Sequence, residues 1–147
     1  SARRTDLQEK RISAEHSAAS AKSACDGFYL GDKAEPCLAL LPTCDRWHVF
    51  MAFDEGEPAG TGALFIDGDT AWTDFGATAT AFRQRGAQSA LLAARIQFAL
   101  DNGCSQIFTC TGEDVPGDPQ HSYSNIMRCG FKETYVRANY APPRASS

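Results

Sequence analysis

A chain of 147 residues, of which 43% are hydrophobic and 22% charged, has the composition of one globular domain with a hydrophobic core. The formal net charge of −4 and the scattered basic residues argue against a nucleic-acid partner, because duplex-binding surfaces are strongly basic. No run of 18 uncharged apolar residues is present, so the sequence predicts neither a membrane span nor a membrane partner.

The six cysteines indicate a reducing environment and no metal site. They occur at positions 25, 37, 44, 104, 110 and 129, and none of them forms a C-x-x-C pair. The three histidines are not spaced as zinc ligands beside them. The charged N-terminus does not have the pattern of a signal peptide. We therefore expect free thiols in a cytoplasmic protein that binds no metal.

The first third of the chain predicts a helix followed by a loop. Residues 5–24 are rich in Ala, Glu, Lys and Gln and contain neither Gly nor Pro, which favours a helix with a weak apolar stripe. Residues 26–46 contain both Gly and Pro. We expect a loop there, with one short element around residues 37–41.

The middle of the chain has the texture of an antiparallel meander. Apolar runs of strand length occupy residues 47–53, 59–66 and 70–77. A polar turn separates the first two runs, and Asp67-Gly68 between the last two is a strong hairpin signal. Three consecutive strands joined by short turns predict one sheet.

The remainder alternates helices and strands. Residues 88–102 carry apolar side chains at helical spacing, and residues 106–111 follow as a short strand. A helix over residues 120–129 and a final strand over residues 131–140 complete the predicted order. This order predicts an α/β domain of the α+β type, in which helices flank a mixed, largely antiparallel sheet.

The connection between the third strand and the long helix carries the clearest chemical signal. The unpaired N–H groups and the positive dipole end of a helix start bind phosphate oxygens. Gly86 and Ala87 leave that backbone uncovered, and Arg83 and Arg85 add positive charge beside it. An arginine-rich loop that merely caps a structural helix explains these residues equally well.

The run FRQRGAQSALL at residues 82–92 resembles the acetyl-CoA-binding motif of the GNAT acetyltransferase family. In that motif, Gln or Arg stands three residues before a Gly, and a small residue follows two positions after the Gly. Arg83 and Gly86 match the motif, whereas Gln88 departs from its small last position.

The order and spacing of the elements over residues 47–140 also agree with the family. The run NIMRCGF at residues 125–131 is similar to the last helix of GNAT proteins, which commonly stops in a Gly-Phe pair. The runs TCTGE at residues 109–113 and SYSN at residues 122–125 resemble a bacterial group within the family.

The resemblance implies that acetyl-CoA binds between two splayed parallel strands and that an acceptor amine attacks its thioester directly. The pantetheine arm would pair with the strand that ends near Ala77, and the pyrophosphate would meet the amides that open the long helix. The cofactor-binding residues so implied are Ala77, Thr78, Arg83, Arg85, Gly86, Ala87, Gln88, Ser89, Ser122 and Asn125. Ser122 and Asn125 share a helix face and could equally brace the helix itself.

The general base and acid are less clearly indicated. Asp74 and Glu113 stand on the two strands that would splay, and either carboxylate could remove the proton of the amine, with Glu113 favoured. Both could equally be solvated surface groups. The Tyr that many GNAT proteins carry in the last helix is replaced by Ile126. Tyr123, one turn earlier, could act as the acid or serve as a structural tyrosine.

Other functions and some features of the whole chain stay open. A non-catalytic acyl-CoA sensor would explain Ile126, and a nucleotide-binding module could use the same anion site. GNAT proteins usually begin with a strand ahead of the first helix, and the sequence predicts none before Thr5. We treat residues 1–147 as one domain, with residues 1–46 poorly matched to the family and residues 47–140 forming the cofactor-binding core. The implied partners are acetyl-CoA and a primary amine of a small molecule or peptide, and the sequence is compatible with a homodimer.

Overall fold

Five strands form one sheet in the order β1–β2–β3–β4–β5. The computed structural model describes residues 6–31, 33–118 and 120–140. The strands are β1 (Gln8–Arg11), β2 (Trp47–Asp54), β3 (Glu57–Asp67), β4 (Thr70–Thr78) and β5 (Gln106–Thr109). The helices are α1 (Ser17–Phe28), α2 (Glu35–Leu38), α3 (Ala87–Asp101) and α4 (His121–Arg128), with single 3-10 turns at Ala14–His16, Leu41–Thr43 and Thr80–Phe82. No helix in these ranges is long and apolar enough to span a lipid bilayer.

The sheet is antiparallel except at its last pair, as predicted. β1, β2, β3 and β4 pair antiparallel with their neighbours, and β5 runs parallel to β4. Because parallel strands need a long crossover, α3 fills the connection between β4 and β5. The predicted class, a mixed and largely antiparallel sheet flanked by helices, is confirmed.

The hairpin between β3 and β4 lies one residue beyond its predicted place. Asp67 pairs with Thr70, so the two turn residues are Gly68 and Asp69 rather than Asp67 and Gly68. Gly68 has a φ of +60°. A first turn residue with positive φ matches the twist of the two strands, and glycine adopts it without strain.

The helix predicted over residues 5–24 is wrong in its first half. Residues 8–11 form strand β1, which pairs with β2, and the helix begins only at Ser17; Thr5 lies outside the described residues. Lys10 and Arg11 lie over the rings of Phe53 and Phe98, at 4.8 and 5.3 Å from the ring centroids. Long charged side chains cover apolar surface with their stems, so this edge strand lacks an apolar alternation in its sequence. The strand ahead of the first helix is therefore present.

The strand predicted over residues 131–140 is also wrong. This stretch has no regular secondary structure and pairs with no strand of the described sheet, although α4 ends at Arg128 close to its predicted boundary. Tyr135, Val136 and Tyr140 are 72%, 60% and 94% exposed. An alternating pattern becomes a strand only when a neighbouring strand supplies backbone partners.

The two faces of the sheet bury separate hydrophobic clusters. Leu91 and Ala99 of α3 pack with Phe50 and Leu64 on one face. On the other face, Val49 and Met51 pack with Ile12, which follows β1. Helix α1 packs with α2 on this face through Ala21, Ala24 and Leu38. The helices therefore sandwich the sheet, whose two edge strands are β1 and β5.

Candidate active site

Strands β4 and β5 separate at one defined point. Their last paired residues are Thr73 and Thr109, and the Thr109 hydroxyl donates a 3.0 Å hydrogen bond to the Thr73 carbonyl. Strand β5 ends there, whereas β4 continues to Thr78. Residues 74–78 of β4 therefore present an edge without a strand partner on the β5 side in the described part of the chain. Such an edge can hydrogen-bond an extended ligand.

The N-terminus of α3 lies just beyond this edge and carries no side-chain cap. Gly86 is the N-cap residue with a φ of +84°, and no side chain hydrogen-bonds to the helix start. The first intrahelical bond runs from the Ala90 amide to the Gly86 carbonyl at 3.0 Å. The amides of Ala87, Gln88 and Ser89 therefore stay without an intrahelical partner, which is the arrangement that binds anions.

The two arginines of the connection have different surroundings. Arg83 is exposed and makes no ion pair with any residue in the described ranges. The Arg85 guanidinium instead donates to both carboxylate oxygens of Asp54, at 2.7 and 2.9 Å, and to Asp6 at 2.8 Å. Two carboxylates neutralise the positive charge of Arg85, so only its backbone amide is left for an anion. The positive charge that we expected Arg85 to offer to a phosphate is therefore neutralised by Asp54 and Asp6.

The pairing between Arg85 and Asp54 makes part of the stability depend on pH. The hydrogen bond from Arg85 holds the pKa of Asp54 below its usual value, against the opposing effect of desolvation. A carboxyl group with a depressed pKa in the folded state stabilises the fold above its unfolded pKa of about 4. This contribution is lost as the pH falls through the folded pKa.

The Asp54→Asn variant is expected to have a lower free energy of unfolding than the wild type at pH 7. The difference should be smaller at pH 3 than at pH 7, because the Asp54 carboxyl group of the unfolded wild type is protonated below its pKa of about 4, while the depressed pKa in the folded state delays protonation there. Urea unfolding of both proteins at the two pH values measures this. A difference that is equal at both values would show that the ion pair does not stabilise the fold.

The contacts of the Gln88 side chain explain why this position of the motif holds a larger residue than usual. Its side-chain amide donates to the Thr78 hydroxyl at 2.9 Å and to the Thr61 carbonyl at 3.4 Å. A Cβ on Gly76 would lie 2.7 Å from the Gln88 Oε1 atom, so the glycine provides the space for this side chain. The side chain of Gln88 therefore reaches the sheet, while its backbone amide remains at the start of α3.

The Asp74 carboxylate stands at the first residue of the open edge and is engaged locally. It accepts a hydrogen bond from the Trp72 indole at 3.1 Å and another from the Phe75 amide at 2.7 Å. Phe75 has a φ of +50°, which is uncommon for a bulky residue. Asp74 thus braces a strained turn of β4, and both of its oxygens already have a donor.

Glu113 lies in the loop after β5, where its carboxylate is exposed and unpaired among the described residues. The loop is tied to the start of α4, because Asp114 accepts a 2.6 Å hydrogen bond from the Gln120 amide. Glu113 therefore directly precedes the residue that ties this loop to the start of α4.

The predicted residues of α4 are partly engaged with one another. The Tyr123 hydroxyl donates to Glu133 at 3.1 Å, and this hydrogen bond raises the pKa of the phenol above its usual value. Asn125 accepts a hydrogen bond from Arg128, and Ser122 is exposed. Tyr123 keeps its proton at neutral pH, but Glu133 is the group that receives its hydrogen bond.

Arg95 is a buried charged residue that the sequence analysis did not single out. It is 4% exposed and belongs to the α3 face that packs on the sheet. An arginine four residues after Leu91 and four before Ala99, both fully buried, interrupts an apolar helix face. That interruption is a signal visible in the sequence.

The described residues fit a ligand with a diphosphate and an extended arm. An uncapped helix start suits a diphosphate, and the unpartnered edge of β4 suits the amide groups of pantetheine. No group of three or more His, Cys, Asp or Glu side chains in the described ranges could hold a metal ion.

Solved structures of similar fold cover nearly the whole chain. The aminoglycoside N-acetyltransferase AAC(6')-Iy, in complex with a bisubstrate analogue of coenzyme A, has a TM-score of 0.77 at 17% identity. The match covers 95% of this chain and 99% of that one. An aminoglycoside acetyltransferase from an uncultured soil metagenomic sample, solved with sisomicin, has a TM-score of 0.72 at 16% identity, with coverages of 93% and 97%.

A third structure of similar fold has a different description. A transcriptional regulator from Bacillus halodurans C-125 has a TM-score of 0.73 at 15% identity, and the match covers 92% of this chain and 99% of the regulator. No curated protein sequence is significantly similar to this chain. At these identities, the structural likeness shows the fold alone.

The family follows from the sequence itself. The family model described as Acetyltransferase (GNAT) family matches residues 17–123, which is well over half of the chain. These residues include the open edge of β4, the uncapped start of α3, the loop beyond β5 and the first three residues of α4. The chain belongs to the GNAT acetyltransferase family, whose enzymes use acetyl-CoA.

Proposed function

We propose that this chain transfers the acetyl group of acetyl-CoA to a primary amine of a small molecule or peptide, by direct attack of the amine on the thioester. The observation that carries the proposal is the uncapped start of α3 beside the unpartnered edge of β4. Within a GNAT domain, this combination provides one site for a diphosphate and another for an extended arm.

The residues proposed to hold the donor lie on three elements. The amides of residues 85–89 would bind the diphosphate together with the free Arg83 guanidinium, and the backbone of Ala77 and Thr78 would pair with the arm. Ser122 and Asn125 of α4 would contact the arm from the other side. Bound acetyl-CoA supplies an activated acetyl thioester, and the protein's main contribution is to hold the two reactants together in a productive orientation.

Two carboxylates and one phenol are the candidates for proton transfer. Glu113 is the proposed base, because its carboxylate accepts no hydrogen bond in the described ranges, whereas both oxygens of Asp74 already have donors. Asp74 is the second candidate. Tyr123 is the proposed acid, since its phenol is protonated at neutral pH. Its hydroxyl now donates a hydrogen bond to Glu133 and would instead donate to the departing thiolate.

Aminoglycosides are the first acceptors to test. Two of the similar structures are aminoglycoside acetyltransferases by description, and aminoglycosides carry several primary amines. A net charge of −4 suits a cationic acceptor.

A non-catalytic acyl-CoA sensor is the second candidate. Ile126 stands where many GNAT proteins carry a tyrosine, and the Tyr123 hydroxyl is engaged by Glu133. The similar fold of a transcriptional regulator is in keeping with a sensing function.

Binding and turnover measured on the same protein separate these functions. We expect coenzyme A to bind with micromolar affinity, and thiol release from acetyl-CoA to rise with at least one amine in a panel of aminoglycosides, polyamines and lysine peptides. Tight binding without thiol release across the panel would favour the sensor. Equal affinity for coenzyme A and for 3′-phosphoadenosine 5′-diphosphate, which lacks pantetheine, would favour a nucleotide-binding module.

We further propose that residues 1–147 form a single domain, that the protein is cytoplasmic and that it forms a homodimer. All six cysteines are free thiols, which supports a reducing compartment. The free edge of β5 and the exposed residues 132–140 support self-association. Light scattering during size-exclusion chromatography tests the dimer.

A further inference from the structure

We propose that Arg95 is a positioning residue for the pantetheine arm of acetyl-CoA, and this inference rests on the function proposed above. Its guanidinium holds an irregular stretch of β4 in place. The open edge of β4 thereby keeps the backbone geometry with which the arm pairs.

The guanidinium is buried without a carboxylate partner in the described residues. It donates from Nε to the Leu91 carbonyl at 3.0 Å, and from Nη1 to the carbonyls of Ala63 and Asp74 at 3.2 and 3.0 Å. Burial lowers the pKa of Arg95 to about 10, so the group stays charged at neutral pH. An apolar side chain of similar length would fill this space without the desolvation cost of a charge.

Two of the carbonyls that Arg95 binds, those of Ala63 and Asp74, flank a break in the pairing of β3 with β4. Thr61 pairs with Ala77 and Ala63 pairs with Asp74, so the single residue Gly62 of β3 faces two residues of β4, Phe75 and Gly76. This bulge interrupts the ladder of backbone hydrogen bonds. Arg95 supplies donors to one carbonyl on each strand at the bulge, which ties the two strands together there.

Two glycines provide the space for this arrangement. A Cβ on Gly62 would lie 2.7 Å from the Arg95 Cζ atom, so this glycine leaves room for the guanidinium. A Cβ on Gly76 would be in ordinary contact with the Arg95 Nη2 atom at 3.6 Å but only 2.7 Å from the Gln88 Oε1 atom, so the second glycine leaves room for Gln88. Gln88, two turns before Arg95 on α3, bonds Thr61 and Thr78 at the far side of the same bulge. Side chains of α3 therefore fix the irregular stretch at both of its ends.

The bulge coincides with the start of the open edge. The Thr73 carbonyl accepts from Thr109, the last paired residue of β5, and the next carbonyl along β4, that of Asp74, accepts from Arg95. Arg95 thus acts where β4 leaves β5. Without its donors, we expect β4 to slip by one residue along β3, which would restore regular pairing and turn the residues beyond Asp74 to the opposite face.

The test compares two ligands that differ by the pantetheine arm, coenzyme A and 3′-phosphoadenosine 5′-diphosphate, by calorimetric titration. The Arg95→Met variant is expected to bind coenzyme A about 10- to 30-fold more weakly, since it loses hydrogen bonds from a charged donor. Its affinity for the arm-less ligand should stay within about twofold of the wild type, because the α3 amides are unchanged. Arg95→Lys should recover part of the loss.

The Gly62→Ala variant provides a second test, because it retains Arg95 but pushes the guanidinium out of its position. If Arg95→Met does not fold, this variant tests the proposal in its place. Like Arg95→Met, it should lower the affinity for coenzyme A and leave the affinity for the arm-less ligand nearly unchanged. Leu91→Met is the matched control on α3: it conserves the volume of a fully buried residue and should change neither affinity by more than about twofold.

A loss of affinity for coenzyme A, but not for the arm-less ligand, in the two test variants supports the proposal. Unchanged coenzyme A affinity would overturn it, and so would an equal loss of both ligands in a folded variant, because Arg95 would then only maintain the fold. A wild type that binds both ligands equally would instead contradict the proposed function.

Discussion

The Gly86→Glu variant is expected to bind coenzyme A at least about 100-fold more weakly than the wild type. Gly86 is the N-cap of α3, so a carboxylate there would lie against the amides proposed to hold the diphosphate. Two like charges about 4 Å apart repel by roughly 4 kcal/mol at an effective dielectric constant of about 20, which corresponds to more than a hundredfold in affinity.

The Gly86→Gln variant is the matched control for this prediction. Gly86 has a φ of +84°, so any side chain at this position strains the backbone by roughly 1 kcal/mol. Gln and Glu share this strain and nearly the same volume. The affinity difference between the two variants therefore isolates the charge, and a difference below about fivefold would contradict a diphosphate site at this helix end.

The Glu113→Gln variant is expected to lower kcat about 100-fold and to leave the dissociation constant of coenzyme A nearly unchanged. A positioned general base typically contributes 10²- to 10⁴-fold to the rate, and an exposed one should lie at the lower end of that range. The substitution keeps the shape of the side chain and removes its ability to take a proton. The wild-type pH–rate profile should lose its acidic limb in the variant.

The Asp74→Asn variant should lower kcat less than Glu113→Gln does. Both Asp74 oxygens already accept hydrogen bonds, from Trp72 and Phe75. An asparagine can still accept one of them through its Oδ1 atom, so the turn of β4 should persist. The reverse ranking of the two variants, with the acidic limb lost only in Asp74→Asn, would assign the base to Asp74.

The elements that the sequence predicted well are those with a strong local signal. Helix α3 has apolar residues at helical spacing and ends before a glycine at position 103, and the structure places it at Ala87–Asp101. The hairpin between β3 and β4 follows from one glycine, although the sequence placed its turn one residue too early.

The elements that the sequence predicted wrongly depend on distant partners. Strand β1 exists because β2 lies beside it, from Gln8 opposite Phe53 to Arg11 opposite Phe50, and its own residues are all exposed. Residues 131–140 have the alternation of a strand but no neighbour in the described sheet. Local pattern describes which side chains could face a core, and tertiary pairing decides whether they do.

The candidate site divides in the same way. The run from Arg83 to Ser89 indicated a bare helix start from sequence alone. Arg85 meets Asp54 and Asp6 across 31 and 79 residues of chain, and no local pattern predicts such pairs. The contacts of Gln88 and Arg95 with the bulge were equally hidden, because they require the register of β3 against β4.

A titration of ¹⁵N-labelled protein with coenzyme A, followed by the backbone amide resonances, tests the central claim most directly. The account predicts the largest shifts at Gly86, Ala87, Gln88 and Ser89, where the diphosphate docks, and smaller ones along residues 74–78 of β4. Saturable binding that leaves the amides at the start of α3 unmoved, or the absence of binding at millimolar coenzyme A, would contradict it.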